Sequence, residues 1–227
     1  MKFTFTTAFA LAASVAPAFA HYNFNALIVN DEVTEEYVYV RKNTNSNSPV
    51  TDVTSNDFIC NVGGLDSGST TKTYDVAAGD QLGFTVMSDI SHAGPVAVYL
   101  SKATGTAAAY DGSGDWFKIY ELTTSSITAD GLQWASNAIT NFTFTLPTEV
   151  PSGEYLVRVE QIALHSPGAP QFYISCAQIS VTSDSTATPS PAIAMPLYSG
   201  DEEGLTINIY SPIPTSYTPA GPALWPS

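Results

Sequence analysis

Apolar and polar positions along this chain alternate more often than they recur every three or four residues, which is the period of strands on a half-buried sheet. Glu36 to Lys42, Phe142 to Leu146 and Tyr155 to Ile162 alternate in this way, each bounded by Gly, Pro, Asn or Ser clusters. Lys72 to Val76 and Gln81 to Met87 read as a hairpin joined through Ala77-Ala78-Gly79-Asp80, and Pro95 to Lys102 and Gln171 to Val181 as two further strands. Helix signals are weak and no internal repeat is visible. Short strands at this spacing predict an all-β fold, a β-sandwich with long loops at one end.

Composition changes after Val181: Thr186 to Ser227 holds eight of the 15 prolines together with Tyr198, Tyr210, Tyr217 and Trp225. A disordered linker is the simple reading. The large apolar groups, and a strand-like Leu205 to Tyr210, instead predict a tail that packs along the sandwich. Hydrophobic residues make up 44% of the chain and charged ones only 12%, which suits one compact core and excludes a disordered chain. With 21 acidic against 7 basic side chains, phosphate neutralisation fails, so no nucleic-acid partner is expected.

At the N-terminus, Lys2, the apolar Phe3 to Val15 and the small-x-small Ala18-Phe19-Ala20 describe a secretory signal peptide over residues 1–20. The apolar run is too short to span a bilayer and no second one follows, so the expected product is a secreted, extracellular protein without a membrane anchor. It begins at His21 and forms one domain over 21–227. Cys60 and Cys176 allow a single pairing, and oxidation on that route predicts a disulfide. The sequon Asn141-Phe142-Thr143 predicts a surface position, and a glycan site, at Asn141.

Three histidines occur, His21, His92 and His165. A free N-terminal histidine offers an ion both its α-amine and a ring nitrogen, a chelate that an internal histidine lacks, and the amine loses its proton at modest cost near neutral pH. One further imidazole completes a three-nitrogen set, which among common divalent ions favours copper. Singly, each histidine admits chance or a turn-stabilising role. On a strand, Gln171 and Tyr173 share one side, either as a half-buried tyrosine satisfied by an amide or as a pair above a metal. The H-E-x-x-H zinc motif and the G-x-S-x-G serine elbow are both absent, and no motif selects a carboxylate pair for glycoside hydrolysis.

His21 after the signal peptide, Ser91-His92-Ala93-Gly94-Pro95-Val96-Ala97-Val98-Tyr99, and Ala163-Leu164-His165-Ser166 followed by Gln171-Phe172-Tyr173-Ile174-Ser175-Cys176-Ala177-Gln178 together resemble the fungal lytic polysaccharide monooxygenases of auxiliary activity family nine, once classed as glycoside hydrolases. The resemblance spans the mature chain. It implies an immunoglobulin- or fibronectin-like antiparallel β-sandwich with a flat copper-bearing face. It further implies a histidine brace in which His21, through amine and ring, and His92 bind one copper ion, Cu(II) or Cu(I), with Tyr173 axial. His165 and Gln171 would steer reactivity around it, and Tyr217 resembles a tyrosine of the sugar-facing plane. Tyr22 reads as packing beside the site.

The implied activity is oxidative cleavage of β-1,4-glucans at C1 or C4, with cellulose the first substrate and hemicellulose left open. An external electron donor and hydrogen peroxide or dioxygen would be consumed, by a monomer. Two stretches, Asn30 to Glu36 and Ser166 to Pro170, are shorter than in many members, which reduces the expected substrate face, and no carbohydrate-binding module is expected. A secreted copper-binding protein with the same brace and no sugar oxidation is the alternative. The joint presence of His165, Gln171 and Tyr173 favours the enzyme.

Overall fold

A computed structural model describes residues 21–226. The strands are β1 (Phe24–Val29), β2 (Glu32–Val33), β3 (Tyr74–Ala77), β4 (Gln81–Val86), β5 (Val96–Lys102), β6 (Trp116–Leu122), β7 (Thr124–Thr128), β8 (Gly131–Trp134), β9 (Asn141–Thr145), β10 (Gly153–Ala163) and β11 (Gln171–Thr182). Two one-turn α-helices, α1 (Asp57–Cys60) and α2 (Glu203–Thr206), and two 3-10 turns, Gly68–Thr70 and Ala107–Ala109, complete the regular structure of the described residues. One sheet runs β2-β1-β4-β9, the other β3-β11-β10-β5-β6, and β7-β8 stands apart as a hairpin. All pairings are antiparallel except β3 with β11, so the all-β sandwich expected from the pattern is what forms.

The two sheets enclose a core in which Phe24, Leu27, Phe84, Val98, Val157 and Ala177 meet. A side chain such as Phe84, 0% exposed, contributes roughly 1.5–3 kcal/mol by leaving water. A second apolar cluster lies on the outer face of the five-stranded sheet, where α1 and the C-terminal tail cover Tyr99, Leu156, Phe172 and Ile174. That double cover explains why β11 reads as a near-continuous apolar run and why the alternating polar positions of β10, Arg158 and Glu160, are buried as well. The Cys60–Cys176 disulfide ties α1 to β11.

Under the tail sits a buried polar network. Arg158 and Glu160, both fully buried, pair at 2.7 Å, and Arg158 also donates to the carbonyls of Phe58 and Ile59 at the end of α1. Tyr198 donates to Glu160 and lies 2.7 Å from the Tyr99 hydroxyl, so the tail is anchored by a carboxylate that would otherwise lack full compensation. Further along, the tail bridges β6 through Trp116 with Ile193 and Lys118 with Leu224.

Three sequence expectations change. Lys72 to Val76 and Gln81 to Met87 do not form a hairpin: β3 joins the five-stranded sheet beside β11, whereas β4 pairs with β1 and β9. The Ala77–Asp80 link crosses from one sheet to the other, with Ala78 N–H on Thr182 and Gly79 N–H on Leu146. Glu36 to Lys42 is a turn with one bridge, Val40 to Ala177, because Tyr37 takes a left-handed backbone, φ 58°. Leu205 to Tyr210 is not a strand; α2 covers its start. The unanticipated β1 is buried at all six positions, so it shows no alternation. It turns into β2 through Asn30 and Asp31, both at positive φ, the conformation of a two-residue hairpin turn. Residues 1–20 and the expected cleavage after Ala20 lie outside the described residues.

Candidate functional site

Three backbone segments converge at one end of the sandwich. His21 precedes β1, His92 lies in the β4–β5 loop, and Tyr173 projects from β11 of the opposite sheet. The loop carrying His92 is fixed by backbone bonds: Leu164 N–H reaches Ala93, Ile162 N–H reaches Pro95 and Ala138 N–H reaches Ile90. Gly94 is required there. Its φ is +150°, and an added Cβ would stand 1.7 Å from the Ile162 carbonyl oxygen, so no side chain fits.

The rings meet at close range. Centroid separations are 6.2 Å for His21–His92 at 75°, 6.2 Å for His21–Tyr173, and 5.6 Å for His92–Tyr173. His165, from the β10–β11 loop, stacks on His92 at 4.3 Å, and its Nδ1 is buried without a hydrogen bond. Tyr173 donates to Gln171 Oε1 at 3.2 Å. The structure therefore gathers His21, His92, His165, Gln171 and Tyr173 in one place.

Among the described residues, no three His, Cys, Asp or Glu side chains assemble around a point. Two imidazoles with a phenol make a weak set for an ion unless a third strong donor is supplied. Amide nitrogens have no lone pair to give, but an α-amine at His21 does, in a chain that starts there. With it, the set becomes three nitrogens in a protein-built arrangement, which fits copper. Burial pushes the Tyr173 phenol up to about 12, so it faces the centre as a neutral group. The same cause raises Tyr22, with the neighbouring Tyr173 adding to it.

Two residues that sequence reasoning missed belong to this end of the molecule. Gln161, fully buried, accepts from the Tyr22 hydroxyl and donates to the His92 carbonyl at 3.2 Å. The polar pair Glu160-Gln161 inside the apolar run of β10 was the available signal, since buried amides need partners. Tyr210 is the second: it is 56% exposed and its hydroxyl donates to the carbonyl of His165. Tyr217 is only partly exposed. Its ring packs edge-on against Trp134 at 4.8 Å and its hydroxyl donates to Gly204. Beside Gln171 an open cavity of about 380 Å³ runs between Thr51, Ser166 and Gly200. Asn141 is exposed at the start of β9.

Comparison with known proteins gives one consistent answer. Residues 21–217 match the model of Auxiliary Activity family 9 (formerly GH61). The chain is 48% identical over 224 residues to the AA9 family lytic polysaccharide monooxygenase C of Emericella nidulans, covering 96% of each. It is 46% identical to the monooxygenase H of Malbranchea cinnamomea, covering 95% of this chain and 96% of that one. Among solved structures, HiLPMO9B superposes with a TM-score of 0.82 at 30% identity, over 90% of this chain and 99% of that one. A cellulose-active polysaccharide monooxygenase from M. thermophila gives 0.78 at 26% identity, over the same shares.

Proposed function

The chain belongs to Auxiliary Activity family 9, and on that premise we propose that cleavage after Ala20 makes His21 the first residue of a copper centre. It is a copper-dependent lytic polysaccharide monooxygenase, an enzyme that breaks polysaccharides oxidatively. The groups that would hold copper in this reading are the His21 amine and ring, the His92 ring and the Tyr173 hydroxyl. The observation that carries it is the meeting of His21 and His92 at 6.2 Å, at a position where the amine supplies the missing donor. The family match also begins at residue 21.

Copper, when bound, supplies one-electron chemistry toward dioxygen or hydrogen peroxide. The protein's own groups orient and confine it. Gln161 fixes the His92 backbone and Tyr22 beneath the rings. In this reading His165, stacked on the His92 ring, and Gln171, bonded to the Tyr173 hydroxyl, would hydrogen-bond a small co-substrate at the centre. Sugar contact in this reading passes from Tyr217 to Tyr210, whose ring is the exposed one.

The substrate class is a β-1,4-linked glucan, oxidised at C1 or C4, supported by the likeness to a cellulose-active relative. An external reductant serves as electron donor. The protein acts as a secreted, extracellular monomer, a single domain over 21–227 in which the tail is part of the sandwich, with a glycan at Asn141. The test is mass spectrometry of soluble products after the copper-loaded mature protein meets cellulose, xyloglucan and other β-glucans with a reductant. Oxidised oligosaccharides that vanish in His92→Ala support the reading. Copper bound without oxidised products from any polymer would favour a copper-binding protein instead.

A further inference from the structure

The tail leaves β11 as Ser183-Asp184-Ser185-Thr186-Ala187-Thr188-Pro189-Ser190-Pro191, and it is held at two points. At one, Ser152 Oγ donates to the Ser183 carbonyl and accepts the Ser183 N–H, while Ser185 Oγ donates to the Glu149 carbonyl at 2.6 Å and accepts the Ala187 N–H. At the other, Ile193 and Trp116 exchange both backbone bonds, at 2.9 and 2.8 Å. Between these anchors the chain bridges an open cavity of about 310 Å³, floored by the buried rings of Phe117 and Tyr155, with Ala187, Thr188 and Pro189 among its walls. This strap therefore stands clear of the sheet instead of lying flat on it.

Its hydroxyls fall into two groups. Those of Ser183 and Ser185 are engaged: Ser183 Oγ accepts the Ser185 N–H, and Ser185 Oγ holds the Glu149 carbonyl. Thr186, Thr188 and Ser190 are exposed, and their hydroxyls bond to no other described residue. Pro189 and Pro191 drive the residue before each toward an extended backbone, and neither has an N–H to tie it to a neighbouring strand. An enzyme that modifies a hydroxyl needs accessible chain and a hydroxyl free to react, and this stretch supplies both. Serine and threonine interleaved with proline are also the composition of O-glycosylated stalks.

We propose that Thr186, Thr188 and Ser190 form an O-glycosylation site that takes neutral hexoses. In the transfer, the hydroxyl oxygen bonds to C1 of a phosphate-activated hexose and the C1–O bond to phosphate breaks. The hydroxyl proton leaves with the phosphate, and nothing is oxidised or reduced. Charge selects a sugar over a phosphoryl group at these hydroxyls. The chain carries 21 acidic against 7 basic side chains, Asp184 and Glu149 stand at the strap's first anchor, and Lys102 on the cavity wall is offset by Asp115. A phosphoryl dianion would add like-charge repulsion there, whereas a neutral sugar adds none. The strap begins roughly 35 Å along β11 from Gln171, so its glycans leave the candidate centre open.

The inference rests on the secretory route proposed above, so the test uses protein expressed from the whole chain in a fungal host and recovered from the medium with His21 as its first residue. Such a protein has taken that route, and a bare strap in it counts against the site alone. Peptides covering residues 182–191 are mapped by mass spectrometry with fragmentation that preserves glycosidic bonds. The expected result is hexose increments on one or more of Thr186, Thr188 and Ser190. None is expected on Ser183 or Ser185, since a sugar on Ser185 would displace its bond to Glu149. Combining Thr186→Val, Thr188→Val and Ser190→Ala removes every increment. Made without sugars in a bacterial host, that variant should melt at the same temperature as the equally bare wild type, and a lower value would show the hydroxyls to be engaged and overturn the assignment. An unmodified strap, hexoses on Ser183 or Ser185 instead, or phosphate in place of hexose also overturns the proposal.

Discussion

Tyr22 donates its hydroxyl to Gln161 Oε1 across 2.5 Å of fully buried interior, and the same Gln161 amide donates to the carbonyls of His92 and Ile162. One amide therefore links the first strand to the loop that carries a candidate ligand. Tyr22 in turn stacks on Tyr173 at 4.3 Å, so the three site-bearing segments share one polar joint. Gln161→Leu keeps the volume but removes the acceptor of the Tyr22 hydroxyl and one donor to the His92 carbonyl. Stability should fall by about 1–3 kcal/mol, read by urea unfolding. Adding Tyr22→Phe removes one of the stranded groups, and the double variant should recover part of the loss. Additive losses in the cycle would mean the two residues do not act as a pair.

The terminal amine gives a sharper prediction. A mature protein carrying one residue ahead of His21 converts its amine to an amide, which has no lone pair for a metal. Copper affinity should drop by more than about a hundredfold, beyond the effect of losing an outer-shell partner. His92→Ala should remove the three-nitrogen hyperfine pattern from the Cu(II) spectrum, whereas Tyr173→Phe should keep it. Competition titration against a chelator checks the affinity, and an unchanged value in the extended protein would sink the brace.

Tyr210 and Tyr217 separate by what each hydroxyl and ring touch. Tyr217 lies against Trp134 and Gly204, so Tyr217→Phe should cost stability, about 0.5–1.5 kcal/mol, with glucan adsorption unaltered. Tyr210→Ala removes an exposed ring that leans on His165, and adsorption should weaken about twofold to tenfold with the melting temperature nearly constant. Adsorption isotherms and thermal melts on the two variants should therefore move in opposite combinations.

These two tyrosines also show where sequence reading reaches its limit. The sandwich was legible because β9 and Tyr155 to Ile162 of β10 alternate, and Gln171 to Val181 of β11 reads as a strand between turn clusters. The ligand cluster was legible because the three histidines stand out in a histidine-poor chain and one of them directly follows the expected cleavage point. Neither Tyr210 nor Tyr217 carries a local pattern, since exposure in an irregular tail is decided by what packs underneath, here Trp134 for Tyr217. Strand β1 was missed for a related reason. Buried on both faces, Phe24 to Val29 has no period to read, and β3 was mispaired because a four-residue link closes a hairpin or crosses a sandwich equally well.

Alkaline pH should destabilise this fold in a defined window. Tyr99 and Tyr198 are buried with their hydroxyls joined, and both are pushed well above the ordinary phenol value, first by burial and then by the negative charge of Glu160, against an opposing pull from Arg158. Burial alone raises Tyr155 to about 12. In the unfolded chain these phenols ionise near pH 10, while the folded chain keeps their protons. The folded state thus binds more protons above that pH, so the stabilisation is complete below pH 10 and is lost as pH rises toward the folded values. Each such phenol should lower stability by about 1.4 kcal/mol per pH unit once its unfolded form is ionised. Melting temperatures should be flat from pH 8 to 9.5 and fall steeply beyond 10, with phenolate absorbance rising only as the protein unfolds. Tyr99→Phe with Tyr198→Phe should flatten that limb, and a wild-type melt unchanged at pH 11 would show that the buried pair carries no such linkage.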